Sequence, residues 1–588
     1  MRRGVRTRET LPGINVTLTL GLDQCPPARP AAPHAKRETI SGLVLAFAAY
    51  AVAMLMAFRD TMTSAFDLGF GDRSDAIIEI SILEHWRSAF MGVATWNRPL
   101  YFHPYTDTLG YNDGYLLSGL IYAAWRLAFD PFVSDTMTAL TFKSIAFVAT
   151  LWLVRGVLRW QWWVAVFIAT LAAISNNMFL QSGHAQIQSL ALLPLLASLA
   201  ILAIRAERNR ERRARIFAAL AAALLGLWLV TAFYFAWFTI YFSIVLAACW
   251  LWLTGSWRPS VLNALVRAHR CTATTFMGSL VVASIPFLLV YAPKKLETGG
   301  HGFMISYLVQ PTDLLNVGEH NLIWGWMIRG LSIVVHAIAP AGGGLERALL
   351  GGEHESGFPL LLFGLVCAAA YRLIRQRGDT RFPRVFAVAI VVSWALTLRI
   401  WQVSPWILVH YLVPAASGLR VVLRYQLFLV LPTLLLVGFA FRDDLAQLWR
   451  RRPWVAGALL APLVVEQVNF AQPAQLSRKA QLAAFNAIPA PPAGCDVFYI
   501  AVARPGEAIF TNPRLDALYP HNVDAMFLAQ RWRLPTINGF STFNPPDWNF
   551  AAPYSADYDS RVMTYAAQHG LRGICRLDMR APKPWSRI

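Results

Sequence analysis

Long apolar stretches recur along most of this chain, and short segments rich in arginine separate many of them. A bilayer core about 30 Å thick requires roughly 20 consecutive apolar residues in each helix that crosses it. The pattern therefore predicts a mainly α-helical, polytopic bundle of about 11 to 13 membrane-spanning helices. The predicted spans cover residues 40–58, 138–158, 162–179, 189–204, 216–234, 235–253, 276–291, 358–373, 385–400, 421–441 and 454–470, with a shorter candidate at 115–129.

The two ends of the chain depart from this pattern. Residues 1–39 are rich in proline, arginine and threonine, which predicts a disordered cytoplasmic leader. Residues 471–588 contain strand candidates at 496–502 and 573–578 and a helix candidate at 560–569, a combination typical of a small α/β domain. We therefore divide the chain into the leader, a transmembrane domain at 40–470 and a C-terminal domain at 471–588.

The composition agrees with a membrane protein, because 56% of the 588 residues are hydrophobic and only 14% are charged. A formal net charge of +19 is also typical of nucleic-acid-binding proteins, but the arginines cluster in the short connections between apolar stretches. This distribution follows the positive-inside rule and argues against a nucleic-acid partner. The connections that it places in the cytoplasm are 205–215, 258–270, 372–384 and 442–452.

The remaining connections are then predicted to lie outside: 60–113, 176–188, 292–357, 401–418 and the C-terminal domain. We expect a multi-pass protein of the bacterial inner membrane, part of the cell envelope, with this domain in the periplasm. One inconsistency arises if 115–129 is a full crossing, because Arg155 and Arg159 would then lie outside. Either that short segment is re-entrant or interfacial, or a further crossing lies between residues 60 and 113.

The first outer loop opens with the acidic segment GDRSDAIIEISILEHWRSAF. Its acids Asp72, Asp75 and Glu79 are spaced i, i+3 and i+7, so a helix would place them on one face. The segment is predicted to be an amphipathic helix parallel to the bilayer, with its carboxylates turned toward a cavity. Ordinary acids on a solvated interfacial helix are the alternative. The apolar residues predicted to lie on the membrane surface are Ile77, Ile78, Ile82 and Leu83.

The rest of this loop, TWNRPLYFHPYTDTLGYNDGYLLSG, is dense in aromatic and polar residues. A long loop of this kind costs ordering entropy and is more often functional than a bare connection. Aromatic rings beside amides and hydroxyls suit a sugar, although an aromatic belt at the headgroup level is the alternative. The candidate substrate-binding residues here are His103, the adjoining Pro104 and Tyr105, Asp107, Asn112 and Asp113.

This arrangement resembles the GT-C superfamily of integral-membrane glycosyltransferases that depend on polyprenyl-phosphate sugars, with a mannosyltransferase-like or aminoarabinose-transferase-like architecture. The segments that carry the resemblance are GDRSD, YFHPYTDTLGYNDGY, SGHAQIQ and GLRVVLRYQL. It implies inverting transfer of a hexosyl or pentosyl group from a lipid phosphate to an extracytoplasmic acceptor. Protein mannosyltransferases of this superfamily carry an Asp-Glu pair in the first loop, whereas here Ala76 follows Asp75.

Such a transfer needs a base near the acceptor and positive charge near the leaving phosphate. Asp75 is the candidate general base, and Asp72 is the candidate partner that orients it or raises its pKa. The candidate ligands of the lipid phosphate are Lys294, Lys295, Arg420 and Arg424, the last two spaced i, i+4 as on one helix face. Lysines that snorkel to headgroups and an arginine that marks a membrane boundary are the alternatives for the first three.

Two further segments carry candidate ligands. His184 and Gln186 in the second outer loop are predicted to complete the substrate pocket, unless they only pack against neighbouring residues. Glu353, His354 and Glu355 are adjacent, so they cannot all converge on one ion from regular structure, and a solvated loop is favoured. We therefore expect no obligatory metal and no cofactor other than the lipid-phosphate sugar, which is a co-substrate.

The C-terminal domain holds two cysteines, Cys495 and Cys575, each in a predicted strand. A disulfide is expected if these strands are neighbours, because an oxidising compartment preserves it. The domain is predicted to cover the cavity mouth or to contact the acceptor. Its aromatic residues Trp532, Trp548 and Tyr554 are candidates for that contact or for the domain core.

Other function classes stay open, among them an enzyme without sugar chemistry and a structural assembly factor. A transporter or flippase of lipid-linked sugars would favour inverted repeats and charges at the bilayer midplane. An O-antigen polymerase or ligase would also join lipid-linked glycans outside the membrane. The partners expected for the preferred interpretation are a polyprenyl-phosphate-linked sugar, membrane lipids, and a glycolipid, polysaccharide or protein acceptor.

Overall fold

The computed structural model describes residues 33–338, 349–376, 381–505 and 512–588. Residues 1–32 of the predicted leader and residues 377–380 of one predicted basic connection lie outside this described part. The first helix begins at Pro33, seven positions before the predicted first span.

Helices make up most of the described chain, as the long apolar stretches predict. The helices of the first half are α1 (Pro33–Ala57), α2 (Arg59–Thr63), α3 (Asp75–Phe90), α4 (Leu116–Trp125), α5 (Pro131–Leu151), α6 (Trp162–Ile174), α7 (Asn176–Leu180), α8 (Leu192–Arg208), α9 (Arg213–Thr231), α10 (Phe233–Thr254) and α11 (Pro259–Thr298). Those of the second half are α12 (Gly325–Ile338), α13 (Leu360–Arg375), α14 (Arg381–Thr397), α15 (Trp406–Leu412), α16 (Tyr425–Phe428), α17 (Val430–Arg451), α18 (Pro453–Val465), α19 (Arg478–Asn486), α20 (Pro513–Asp516), α21 (Pro520–Trp532) and α22 (Tyr558–Gln568).

Seven helices among the described residues are long and apolar enough to cross a membrane, and a bent pair near residue 430 makes eight. This is fewer than the predicted eleven to thirteen. The difference comes from α13, α14 and α18, which coincide with predicted spans but contain only 16, 17 and 13 residues. The polytopic helical bundle itself is confirmed.

The short apolar segment after the first loop forms α4, which has ten residues. At a rise of 1.5 Å per residue this helix is about 15 Å long, half of a bilayer core. The helix α3 before it is packed inside the protein, so the next crossing is Pro131–Val157. Arg155 and Arg159 consequently lie on the side opposite to the first loop, which agrees with the re-entrant or interfacial alternative.

The C-terminal region contains a three-stranded sheet of β3 (Val497–Val502), β4 (Ile574–Asp578) and β5 (Trp585–Arg587). β3 and β4 are parallel, and β5 is antiparallel to β4. The predicted strands and the predicted helix, now α22, are thereby confirmed. Cys495 and Cys575 form a disulfide with a Cα–Cα distance of 5.7 Å, because β3 and β4 are neighbours.

The first outer loop and the C-terminal domain form one packed unit. Residues Leu68–Gly69 (β1) pair antiparallel with Leu476–Ser477 (β2). The backbone N–H of Phe102 donates to the carbonyl of Asn538, and the N–H of Thr536 donates to the carbonyl of Leu100. Both regions therefore lie on the same side of the membrane, whichever side that is.

The position of α3 corrects the prediction of a helix on the membrane surface. Its four apolar residues Ile77, Ile78, Ile82 and Leu83 are at most 7% exposed, within a core shared with the C-terminal domain. Asp72 precedes the helix, so only Asp75 and Glu79 share a helical face, and Glu79 is buried. Burial raises the pKa of Glu79, and the nearby carboxylate of Asp135 raises it further. The short-range periodicity was compatible with both environments because it does not distinguish protein from lipid.

Candidate active site

A chain of four ionisable side chains joins four distant segments of the sequence. Asp75 lies at the first position of α3. Its Oδ2 is 3.5 Å from Nδ1 of His184, and Nε2 of that imidazole is 3.6 Å from Oε1 of Glu353. Glu353 accepts two hydrogen bonds from Arg424, at 3.1 Å from Nε and 2.5 Å from Nη2. The imidazole thus lies between two carboxylates, and a guanidinium balances the second.

Local structure explains how Glu353 reaches this cluster. It lies in a single 3-10 turn, Gly352–His354, whose first residue has a φ of +61°. The next residue, His354, is buried, with its Nδ1 3.0 Å from Oδ1 of Asp313. The turn is therefore anchored on one side, and the Glu353 carboxylate points at Arg424. The prediction that this segment is a solvated loop is wrong, because His354 is buried against Asp313 and the largely buried Glu353 is paired with Arg424.

Arg424 ends a short 3-10 turn, Val422–Arg424, and is 5% exposed. Arg420 is exposed and precedes that turn, so the predicted helical i, i+4 face does not form. Both residues nevertheless meet at Tyr234. The backbone N–H of Arg420 donates to the Tyr234 hydroxyl, and the Arg424 guanidinium lies over the Tyr234 ring at 5.5 Å.

The electrostatics of Asp75 favour the ionised form. The surrounding protein opposes ionisation, but the Asp75 side chain is 49% exposed, and the hydrogen bond and charge of His184, together with the charge of Arg424, bring its pKa below the ordinary aspartate value. Burial also opposes ionisation of Glu353, yet Arg424 and His184 lower its pKa to about 2. The cluster therefore holds two carboxylates at neutral pH.

Asp72 does not take the predicted role beside Asp75. Its carboxylate accepts hydrogen bonds from the backbone N–H and the hydroxyl of Ser74. The pKa of Asp75 is lowered rather than raised, and His184 is the group that does this. The structure thus replaces the predicted pair of aspartates with an aspartate–imidazole–glutamate arrangement.

A pH prediction follows from these contacts. We expect His184→Ala to move the acidic limb of the activity profile to higher pH, because Asp75 then loses the hydrogen bond and the charge that lower its pKa. In the parent protein that limb should lie below the ordinary aspartate range. The measurement is kcat/KM for sugar transfer between about pH 2 and pH 8, so that the acidic limb of the parent protein is included. An unchanged acidic limb in the variant would show that His184 does not control the group that titrates.

Beside this cluster lies a cavity of about 280 Å³ between the first loop, α10, α11 and the C-terminal domain. Its walls are largely aromatic: the Phe233 and Phe287 rings stack at 5.7 Å, and Phe287 and Tyr291 stack at 4.8 Å. Tyr234 also lines the cavity, and the Arg424 guanidinium lies over its ring. The apolar cavity and the charged cluster therefore share a wall.

Two lysines line this cavity and differ in their contacts. Nζ of Lys294 is buried and donates to the Tyr111 hydroxyl at 3.0 Å and to Oε2 of Glu297 at 2.9 Å. Lys295 is exposed, and its Nζ donates to the Ser417 hydroxyl at 2.8 Å and to the carbonyl of Gly299. Lys294 is thus neutralised by a carboxylate, whereas Lys295 makes contacts with neutral oxygens and keeps its positive charge available.

The candidate substrate residues of the first loop separate into two groups. Asn112 and Asp113 line the cavity, and the Asp113 carboxylate accepts from the backbone N–H of Phe233 at the start of α10. Burial raises the pKa of Asp113 to about 6, although that N–H and Arg424 oppose the shift. Gln186 does not line the cavity, and its Oε1 accepts a hydrogen bond from the Tyr115 hydroxyl at 3.1 Å.

The other group holds the loop against the C-terminal domain. The backbone N–H of His103 donates to Thr536, and the hydroxyl of Tyr105 donates to Oδ1 of Asp547 at 2.5 Å. Pro104, between them, follows a cis peptide bond. Asp107 accepts from the side-chain amide of Asn97. These residues shape the loop and do not line the cavity.

The C-terminal domain reaches the cavity, as one of the sequence-based alternatives predicts. Thr542 and Phe543 form part of its lining, and the Phe543 ring stacks on His301 at 4.5 Å. Tyr519 lies near the charged cluster: burial raises its pKa, and the carboxylates of Asp75 and Asp72 add to the effect. The aromatic candidates are placed elsewhere: Trp548 is 9% exposed, Trp532 packs on Phe498 and Trp585, and Tyr554 is 77% exposed.

Within the described part of the chain, no group of three histidine, cysteine or acidic side chains is arranged to hold a metal ion. In the Asp75, His184 and Glu353 cluster, the two nitrogens of one ring face two different carboxylates, and Glu353 is already bound by Arg424. The expectation of a reaction without an obligatory metal stays a prediction.

Sequence reasoning missed Glu353 and Tyr234 as members of the site. Tyr234 ended a predicted span, and nothing in its neighbours distinguished it from an aromatic residue at the headgroup level. Glu353 did carry a signal, because a buried arginine such as Arg424 requires an acid on the same side of the membrane. A search of the outer loops for that acid would have included it.

Comparison with known proteins finds similarity to a solved structure but to no family model or curated protein. Among solved structures, a crystal structure of the apo form of the oligosaccharyltransferase of Archaeoglobus fulgidus is similar over 90% of this chain and 68% of that chain. The TM-score is 0.49, and the sequence identity is 13%.

Proposed function

We propose that this chain is a membrane glycosyltransferase that moves a sugar from a polyprenyl-phosphate donor to an extracytoplasmic acceptor. The observation that carries the proposal is the shared wall between an apolar cavity with a lysine at its rim and a cluster that keeps Asp75 ionised. An apolar cavity suits a polyprenyl chain, the lysine suits its phosphate, and the carboxylate suits an acceptor hydroxyl.

The reaction balances with these groups. Asp75 accepts the proton of the acceptor hydroxyl while the hydroxyl oxygen attacks the anomeric carbon of the donor sugar. The bond between that carbon and the phosphate oxygen breaks, and its electron pair leaves with the polyprenyl phosphate. Attack opposite the leaving phosphate inverts the configuration at the anomeric carbon. The transferred sugar is a hexosyl or pentosyl group in this proposal.

The leaving phosphate is assigned to Lys295 and Arg420 ahead of Arg424 and Lys294. Lys295 and Arg420 are exposed, and neither forms an ion pair with a carboxylate in the described part of the chain. Arg424 and Lys294 are already paired with Glu353 and Glu297. A phosphate at Arg424 would have to displace a carboxylate in a bidentate contact, which costs free energy.

The setting of the reaction follows from the distribution of arginine. The loop that carries Asp75 and the C-terminal domain lie on one side, and the arginine-rich connections predict that this side is extracytoplasmic. We propose the bacterial inner membrane and a periplasmic active site, with a glycolipid, polysaccharide or protein as acceptor. Transport of lipid-linked sugars and glycan polymerisation remain the alternatives that the assay below distinguishes.

The test is transfer of radiolabelled sugar from a panel of polyprenyl-phosphate sugars to extractable membrane acceptors. We expect Lys295→Gln to lower kcat/KM for the donor by roughly 10- to 100-fold, because a charge-assisted hydrogen bond contributes about 1.5–3 kcal/mol. Lys479→Gln, which removes an exposed lysine of the C-terminal domain, is the matched control. Nucleotide sugars in place of the lipid donors should give no transfer.

The results separate the function classes. Movement of the lipid donor across proteoliposomes without any transfer would favour a flippase and overturn the proposal. Joining of preassembled glycans without use of a monosaccharide donor would favour a polymerase or ligase. Equal activity of the Lys295 and Lys479 variants would remove Lys295 from the phosphate site.

A further inference from the structure

A second cavity, of about 430 Å³, lies between the first loop and the C-terminal domain, separate from the aromatic one. Its charged residues are Arg73 and Arg504, and Gln481 of α19 adds an amide. Alanine, proline, isoleucine and methionine side chains form the remaining walls. None of these residues takes part in the proposed transfer.

The polar groups of this cavity are incompletely bonded. Arg504 is 7% exposed, and its Nε donates to Oδ2 of Asp524 at 2.8 Å, but its buried Nη2 has no hydrogen-bond partner among the described residues. Gln481 is also 7% exposed, and within the part of the chain that the structure describes its buried Oε1 accepts no hydrogen bond. A buried polar group without a partner costs about 1–3 kcal/mol, so both atoms indicate a missing ligand.

Arg73 adds a second guanidinium to the same space. Within the described part of the chain it makes no hydrogen bond or ion pair, although it is half-buried. Burial and then the charge of Arg504 lower its pKa, while the carboxylates of Asp524, Asp516 and Asp72 oppose the shift. Asp524 already neutralises Arg504, so Arg73 is the guanidinium of this cavity that has no ion pair among the described residues, and an anion bound beside it supplies the opposite charge.

The size of the cavity indicates more than a single ion. One water molecule occupies about 30 Å³ of the liquid, so this cavity has room for a saccharide unit together with its charged group. The apolar walls suit the C–H face of a sugar ring, and planar guanidinium groups bind carboxylate or phosphate in a bidentate manner. The amide of Gln481 can present either its oxygen or its nitrogen to a sugar.

We propose that this cavity binds an anionic saccharide, one that carries a carboxylate or a phosphate, through Arg73, Arg504 and Gln481. The inference rests on the proposed function only in naming that saccharide as part of the acceptor. Arg73 precedes the candidate base Asp75 by two residues. An acceptor bound by Arg73 therefore contacts the same short segment that carries the base. The site would select acidic over neutral acceptors.

Direct binding tests this without reference to transfer. The full-length protein in nanodiscs is titrated with glucuronate, glucose 6-phosphate, glucose and inorganic phosphate, and binding is followed by saturation-transfer NMR. We expect at least one acidic sugar to bind at least roughly tenfold more tightly than glucose and than free phosphate. Preference for glucuronate or for glucose 6-phosphate identifies the anionic group.

Substitutions of arginine test whether the acidic sugar binds in this cavity. Arg73→Gln should lower the affinity for the preferred acidic sugar by roughly tenfold or more. Arg73→Lys should lower this affinity less, because lysine keeps the positive charge but lacks the planar guanidinium. Arg98→Gln, which removes an exposed arginine of the same loop, should leave binding unchanged. Equal binding of acidic and neutral sugars, equal binding of free phosphate, or unchanged binding in Arg73→Gln would overturn the inference. Loss of transfer with intact binding would count against the proposed function alone.

Discussion

Replacement of Asp75 by asparagine should lower the rate of sugar transfer by roughly 10² to 10⁴-fold, the range that a general base contributes. Asparagine has nearly the same shape and can still accept a hydrogen bond from His184, but it cannot take the acceptor proton. The loss should therefore fall on kcat, with little change in the KM for the lipid donor. The measurement is initial-rate transfer from a polyprenyl-phosphate sugar at saturating acceptor.

The control separates this effect from misfolding. Asp60→Asn removes a carboxylate from the same side of the membrane, where it contacts only Arg59 among charged side chains of the described chain, and should keep most of the activity. Both variants should insert and unfold thermally near the parent temperature. An Asp75→Asn variant that is well inserted and retains more than about a tenth of the parent rate would contradict the assignment of Asp75 as base.

The sequence predicted the polytopic bundle and the C-terminal α/β domain, because both depend on local patterns, and it predicted the disulfide only on the condition that two strands are neighbours. Apolar length identifies spans, and strand patterns around Cys495 and Cys575 made their pairing plausible. The environment of α3 was not predictable in the same way. A segment of isoleucines and acids has the same pattern against lipid as against another domain, and only the contacts with α21 in the C-terminal domain decide between them.

The sequence predicted many residues of the candidate site but not which of their side chains contact each other. Asp75, His184 and Arg424 do come together, and Lys295 and Asp113 line the adjacent cavity. The partner of Arg424 is Glu353, 71 residues earlier in the chain, and no local rule connects two such positions. Asp72 is the partner of Asp75 that the sequence spacing predicts, whereas the fold places His184, a predicted pocket residue, 3.5 Å from the Asp75 carboxylate.

The contact between Glu353 and Arg424 should dominate the stability of the site. The pKa of Glu353 falls from 4.5 to about 2, against burial and chiefly because of Arg424, which corresponds to about 3 kcal/mol of stabilisation of the ionised form. Because the folded pKa is depressed, this stabilisation is fully present above pH 4.5 and is lost as the pH falls through about 2. Removal of the arginine alone leaves a largely buried carboxylate uncompensated.

We therefore expect Arg424→Gln to destabilise the protein by about 3–5 kcal/mol and to abolish transfer. The double variant Glu353→Gln/Arg424→Gln should recover most of the stability, because two neutral amides can hydrogen-bond to each other, but only part of the activity, because the carboxylate that faces the imidazole beside Asp75 is lost. Arg372→Gln is the matched control: its pair with Asp444 is exposed, so it should change stability by less than about 1 kcal/mol. Thermal unfolding and transfer are measured on all four proteins. Full activity in the stable double variant would show that the pair only supports the fold and that Arg424 has no part in the reaction.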